Sequence, residues 1–334
     1  MARMIAGRFV WTIGLFFVIT FVTYVIFFVV PAPVDPIRGV RATETRTVTD
    51  AFAIEEQGFI GEYAAFLGSV FRGDLGESYR TREDVTSILA RTVPVTASLV
   101  VGAFVVWLLF AIPVGVYSAL HPGSVGDRAA MVAILVGLAA HPLWLGYVLT
   151  WLFGFQLGAV PLGGYCDFLP APETCSGPGP WAYHLLLPWL TLALAVAALY
   201  ARMVRASTLE TLQEDFVRTG RAKGLGEWAV VRRHVLPNAL LPIVTMVAMD
   251  VALLFGSAVF VERVFSLPGI GTQLTTSLRG RDLPVILGLT LFVSTVILVL
   301  TLLADLAYGI LDPRIRAANR RSLKPSAFGG RAAE

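Results

Sequence analysis

The sequence predicts an all-α membrane protein with six transmembrane helices. Three observations carry that prediction: an apolar composition, six charge-poor runs of bilayer length, and an uneven distribution of Lys and Arg. Hydrophobic residues make up 56% of the 334 and charged residues 15%, with a mean hydropathy of +0.73. Ordinary globular chains carry about 25% charged residues. A chain this apolar cannot cover itself with polar surface in water, so its solvent is a bilayer. The same figures exclude intrinsic disorder, a collagen-like rod and a disulfide-rich miniprotein. The net charge of +3 hides 24 Arg against 2 Lys, a ratio that reflects base composition rather than a binding preference.

A spanning helix needs about 20 apolar residues at about 1.5 Å rise each. The runs 9–34, 92–126, 129–166, 174–201, 234–261 (interrupted by Asp250) and 283–304 meet or nearly meet that length. Trimming at Pro and Gly gives spans 9–30, 93–119, 129–154, 184–204, 239–261 and 285–311. In the long third run Pro161-Leu162-Gly163-Gly164 reads as a turn, so one span is kept there. The first run is longer than a signal-peptide core of about 7–15 residues and lacks a small-x-small cleavage site. It reads as a retained span.

An even number of spans puts both termini on one side. That side holds sixteen Lys and Arg against seven Asp and Glu; the other holds ten against fourteen. The positive-inside rule therefore places both termini in the cytoplasm. The resulting organisation is a cytoplasmic N-terminus and first span (1–30), an extracytoplasmic segment (31–92), a five-span core (93–311) with an inward loop at 205–238, and a cytoplasmic tail (312–334).

No G-x-x-x-x-G-K-[ST] phosphate loop, H-E-x-x-H or G-x-S-x-G occurs. None of the four His pairs with a Cys at metal-ligand spacing, and no metal site is expected. Candidate function therefore sits in the loops and in two intramembrane carboxylates, Asp250 and Asp305.

The inward loop is the most informative segment. Leu209, Leu212 and Phe216 fall at helical spacing, as do Trp228, Val231 and Val235. Two short amphipathic helices are expected, broken near Lys223-Gly224-Leu225-Gly226, where glycine tolerates a tight reversal. Such a loop either lies on anionic lipid head groups or docks on a partner.

The stretch Phe216-Val217-Arg218-Thr219-Gly220-Arg221-Ala222-Lys223-Gly224-Leu225, followed by Leu236-Pro237, resembles the cytoplasmic coupling loop of ABC importer permeases of the dipeptide/oligopeptide type. Gly224 precedes Pro237 by the family's thirteen residues, and Arg218-Thr219-Gly220 stands where that type carries an Arg-Thr-Ala-like triplet. Arg72-Gly73-Asp74-Leu75-Gly76-Glu77-Ser78-Tyr79-Arg80 is similar to the family's outward segment. Val261-Glu262-Arg263-Val264-Phe265-Ser266-Leu267-Pro268-Gly269-Ile270-Gly271, with Arg281-Asp282-Leu283-Pro284, is similar to its connection between spans five and six. Leu311-Asp312-Pro313-Arg314-Ile315-Arg316 is similar to its closing tail. Two departures are visible. Pro31-Ala32-Pro33-Val34-Asp35-Pro36 replaces a Pro-Gly-Asp-Pro, and His141 replaces a Pro in span three, with Pro142 displaced by one, which shifts the expected kink.

The resemblance implies a type I importer fold in a bacterial inner membrane. It implies a second similar permease, two cytoplasmic ATPases and an extracytoplasmic substrate-binding protein as partners, with ATP and Mg held by the ATPases and none by this chain. It makes Phe216, Arg218, Thr219, Gly220, Arg221, Ala222, Lys223, Gly224, Leu225 and Pro237 the ATPase-coupling residues. Ala222 and Leu225 would supply apolar contact, and Arg221 and Lys223 would meet acidic groups at its rim. Peptides are the expected cargo, with nickel chelates or another small solute as the alternative within the family. A different class, an ion- or proton-coupled secondary carrier, would use Asp250 and Asp305.

Asp250, with Met246 and Met249 beside it near the middle of span five, is the candidate for the translocation path. A carboxylate facing lipid costs about 2.5–3.5 kcal/mol on insertion scales, so it faces a wet cavity or a hydrogen-bonding neighbour. Asp305, close to the inner boundary, reads more readily as an anchor or cap of the helix end. Cys166 and Cys175 share an outward loop rich in turn formers, where an oxidising exterior permits a disulfide.

Overall fold

The computed structural model describes residues 2–26, 59–169 and 175–311. The outward segment before residue 59 and the closing motif from Asp312 lie outside the described residues. Among the described residues there are helices and two isolated β-bridges but no strand.

The helices are α1 (Ala2–Tyr24), α2 (Phe59–Arg72), α3 (Val85–Leu120), α4 (Val125–Ala139), α5 (Pro142–Leu149), α6 (Pro178–Leu212), α7 (Asp215–Ala222), α8 (Glu227–Val230), α9 (Leu236–Ala239), α10 (Leu241–Val264), α11 (Ile270–Gly280) and α12 (Leu283–Leu311). Wider π turns continue α5 through Thr150–Gln156 and join α8 to α9 through Val231–Val235. Among the described residues four segments are long and apolar enough to cross a membrane: Ala6–Tyr24, Val85–Leu120, Pro178–Leu212 and Leu283–Leu306. The pair α4 and α5 makes a fifth if the bent pair is one span.

The third expected span, 129–154, is not one straight helix: α4 and α5 meet at 116°. Proline disfavours helical backbone at the residue before it. His141, before Pro142, is accordingly extended at φ −71°, ψ 139°, and its Nδ1 accepts from the Leu143 N–H at 3.3 Å. Spans two and four also run further than expected, at 36 and 35 residues.

The core lies between α3, α6 and α10, where Leu99, Trp107, Leu185, Leu192, Tyr200 and Leu254 are fully buried. Small residues let α3 and α6 approach closely, the usual way helices gain contact in lipid. A Cβ on Gly115 would stand 2.6 Å from the Ala201 carbonyl oxygen, and one on Gly102 would strike the Trp189 ring. That indole donates to the Ser98 carbonyl at 3.0 Å.

A second cluster joins α1, α2 and α12 through Tyr24, Phe66, Leu287 and Leu291. Tyr24 donates to Glu62 at 3.0 Å, and Arg8 pairs with Asp305 across α1 and α12. Two loop motifs are explained by single buried carboxylates. Asp282 accepts from Ser78 Oγ at 2.5 Å and from the Tyr79 N–H at 3.0 Å, fixing the outward turn to α12. Glu262 accepts from Thr96 Oγ1 at 2.6 Å and from the Thr272 N–H at 3.0 Å. Thr96 Oγ1 in turn accepts from the Ile270 N–H at 2.9 Å. Together they satisfy N–H groups that the first turn of α11 would otherwise leave unpaired.

Candidate functional site

The loop that the charge count places inward begins where α6 ends at Leu212 and closes where α10 begins at Leu241. Asp215 opens α7 and Arg221 stands in its last turn, each sign at the helix end whose dipole it complements. The helix stops in a Schellman turn. Gly224, at φ +81°, donates to the Arg221 carbonyl at 2.9 Å, and the Leu225 N–H reaches the Gly220 carbonyl at 3.4 Å. A side chain at that φ is strained, so the reversal expected at 223–226 depends on glycine at Gly224.

Val217, Val230, Val235 and Ala239 are fully buried together, with Leu212 and Leu225 packed against them. Ser207 Oγ donates to the Ala239 carbonyl at 2.8 Å, tying α6 to α9. The loop is therefore tied to the base of α6 and runs through α9 directly into α10. Pro237 is exposed in the first turn of α9.

The outward face differs from the periodicity reading. Leu209 and Leu212 belong to α6 rather than to a loop helix. Phe216 and Trp228 are 41% and 69% exposed, whereas Val231 and Val235 of the same helical spacing are buried. Arg218, Thr219, Ala222 and Lys223 are exposed, Gly220 is buried and Leu225 is half-buried. Arg221 is engaged inside the loop. Its Nε and Nη2 donate to the two carboxylate oxygens of Glu227 at 2.8 and 3.1 Å, bracing α7 against α8 across the turn.

Behind the loop, Arg205 of α6 donates from Nε and Nη2 to both oxygens of Asp127 at 3.0 and 3.1 Å. Asp127 also accepts from Ser118 Oγ and from the Gly123 N–H at 2.9 Å. These bonds lock the α3–α4 turn onto the helix that leads into the loop.

Asp250 of α10 accepts a hydrogen bond from the buried Tyr200 hydroxyl of α6 through Oδ2. Oδ1 is bonded to no described residue. Trp107 of α3 lies edge-on to Tyr200, with ring centroids 4.4 Å apart. Met246 packs against the same core, and the side chain of Met249 lies outside the described residues. Both carboxylates of the secondary-carrier alternative thus have helix-to-helix partners, Tyr200 for Asp250 and Arg8 for Asp305.

On the loop after α5, Cys166 and Cys175 are joined by a disulfide with Cα atoms 5.0 Å apart. His184 of α6 lies beside it.

Residues 111–317 match the family described as binding-protein-dependent transport system inner membrane component. The chain belongs to that family. It is an inner-membrane permease component, and the alternative of an ion-coupled secondary carrier falls away. It is 34% identical over 333 residues to the Di/tripeptide transport system permease protein DppB of Pseudomonas aeruginosa, covering 95% of this chain and 99% of that one. It is 32% identical over 318 residues to the Dipeptide transport system permease protein DppB of Bacillus subtilis, covering 95% and 98%. A putative peptide permease protein of Brucella ovis is 32% identical over 321 residues, covering 95% and 99%.

Proposed function

We propose that this permease carries di- and oligopeptides inward, driven by ATP hydrolysis on two cytoplasmic ATPase subunits. It spans the membrane six times with both termini cytoplasmic. The bent pair α4–α5 is one span, and α10, whose 24 residues reach about 36 Å, is another. A second homologous permease completes the path, and an extracytoplasmic binding protein delivers the peptide. ATP and Mg belong to the ATPases.

The observation that supports this reading best is the inward loop. A helix of eight residues, closed by a Schellman turn, carries exposed Phe216, and α8 across the turn carries exposed Trp228. Exposed aromatic side chains suit an apolar groove on an ATPase, and a push on the loop reaches α6 through its buried cluster and α10 through the chain that follows α9. Rigid-body movement of packed helices then alternates access. The cavity beside Glu262, lined by Thr96, Phe255, Leu274 and Thr290 among others, holds about 140 Å³. That is below the roughly 300–1,000 Å³ of small-ligand sites, consistent with a cargo route shared with the second permease.

Asp250 lines that route through Oδ1, with Met246 and Met249 beside it, and offers a carboxylate to a peptide ammonium. Reconstituting the permease pair with its ATPases and binding protein tests the cargo. Peptides should stimulate ATP hydrolysis, and stimulation by nickel chelates alone would overturn the peptide assignment.

A further inference from the structure

The loop after α5 brings together three ligand atoms that the sequence spacing kept apart. Sγ of Cys166, Sγ of Cys175 and a ring nitrogen of His184 all lie within 4.8 Å of one another. His184 stands in the second turn of α6, with Nδ1 3.2 Å and Nε2 3.8 Å from Cys166 Sγ. Nδ1 also lies 3.0 Å from the Pro180 carbonyl oxygen. A proton on Nδ1, donated to that carbonyl, leaves the lone pair on Nε2. Metal-binding histidines are oriented in this way, by a backbone carbonyl on the nitrogen that does not ligate.

The loop does not rely on the disulfide alone for its shape. The Asp167 N–H donates to the Cys175 carbonyl at 3.1 Å, and the Gly177 N–H to the Asp167 carbonyl at 2.8 Å. The Gly164 N–H donates to the Phe265 carbonyl at 2.9 Å, anchoring the loop to the end of α10. Opening the sulfur–sulfur bond therefore leaves both cysteines near His184. The two sulfurs also differ in access: Cys166 is 2% exposed, whereas Cys175 is exposed.

The geometry points to a redox-gated binding site for a thiophilic metal ion of the Zn²⁺ class, formed by Cys166, Cys175 and His184 when the disulfide is reduced. The reductant is an external dithiol. One of its thiolates attacks the accessible Cys175 Sγ, forming a mixed disulfide and expelling Cys166 as a thiolate beside the His184 ring. The second thiolate of the reductant then closes on its own mixed-disulfide sulfur and releases Cys175. The dithiol is oxidised by two electrons, the protein disulfide is reduced by two, and the dithiol's two protons pass to the cysteines. Zn²⁺ then displaces those two protons and takes two thiolates and Nε2, leaving a fourth position for water. Two sulfurs and an imidazole suit this ion rather than Mg²⁺ or Ca²⁺. Tetrahedral zinc places sulfur and nitrogen ligands about 3.5 Å apart, close to the Sγ–Nε2 distance already present.

The inference does not depend on the cargo or on the ATPase partners. The full chain, purified in detergent, is reduced with a dithiol, desalted and titrated with Zn²⁺ against a chromophoric chelator. The reduced wild type should bind zinc above the level of the reduced double variant Cys166→Ser/Cys175→Ser, and the oxidised wild type should not. His184→Ala, first shown by non-reducing mass spectrometry to form the disulfide, should on reduction bind zinc about tenfold or more weakly. Zinc uptake by the reduced wild type no greater than that of the double-serine variant, or unchanged affinity in His184→Ala, would overturn the site.

Discussion

Tyr200 of α6 donates its hydroxyl hydrogen bond to Asp250 of α10, so the carboxyl group in the middle of α10 is tied to a neighbouring helix. The pair is a packing bond, and in the proposed cargo path Oδ1 of Asp250 is the polar group that meets the peptide. The two roles separate by substitution. Tyr200→Phe removes the hydrogen bond and leaves the Asp250 oxygen without its partner, which should cost about 1–3 kcal/mol of stability, read as an earlier thermal transition of the solubilised complex. Asp250→Asn keeps an acceptor for Tyr200, so assembly should persist while peptide uptake kinetics change. Unaltered kinetics across several peptides would remove Asp250 from the path.

Arg205 grips both oxygens of Asp127, which also holds Ser118 and the Gly123 N–H. Arg205→Ala leaves Asp127 without its cation, and the α3–α4 turn loses its tie to α6. The complex should melt at a lower temperature. Arg205→Lys should recover only part of the loss, because an ammonium cannot reproduce the two-pronged guanidinium contact. Full recovery by lysine would show that charge alone matters there.

Close approach of α3 and α6 depends on Gly115, where a Cβ would meet the Ala201 carbonyl at 2.6 Å and Val204 Cβ at 2.7 Å. Gly115→Val should sharply reduce the folded yield, measured by size-exclusion chromatography of a fluorescent fusion. Gly68→Ala, where nothing stands within 4 Å of the added methyl, should be tolerated. Equal yields would mean that the helices repack freely.

The helices were legible because bilayer-length apolar runs have one economical solution, backbone hydrogen bonded within the segment. Their polar extensions were not: α6 continues to Leu212 and α3 starts at Val85, in stretches where no apolar run marks the end. His141-Pro142 announced a kink, but not the 116° angle, which depends on what α5 packs against; Gly146 there faces Thr191 and Val264. Gly224 was legible as a reversal because a Schellman turn selects glycine at one position. The assignment of Leu209 and Leu212 to α6 was not, since their helical spacing continues across the end of α6 into α7. Partners such as Tyr200 for Asp250 and Arg8 for Asp305 lie far apart in sequence, and only the fold brings them together.

The coupling role of the inward loop is tested most directly at Gly224, whose φ of +81° a β-branched side chain cannot share without strain. Gly224→Val distorts the Schellman turn without touching the membrane core. In proteoliposomes the variant should assemble and dock peptide-loaded binding protein, while peptide-stimulated ATP hydrolysis and uptake fall together. A loop that merely rests on anionic lipid behaves differently, with little effect at Gly224 and a larger one from neutralising Arg232 and Arg233. Full ATPase stimulation in Gly224→Val would contradict the coupling role.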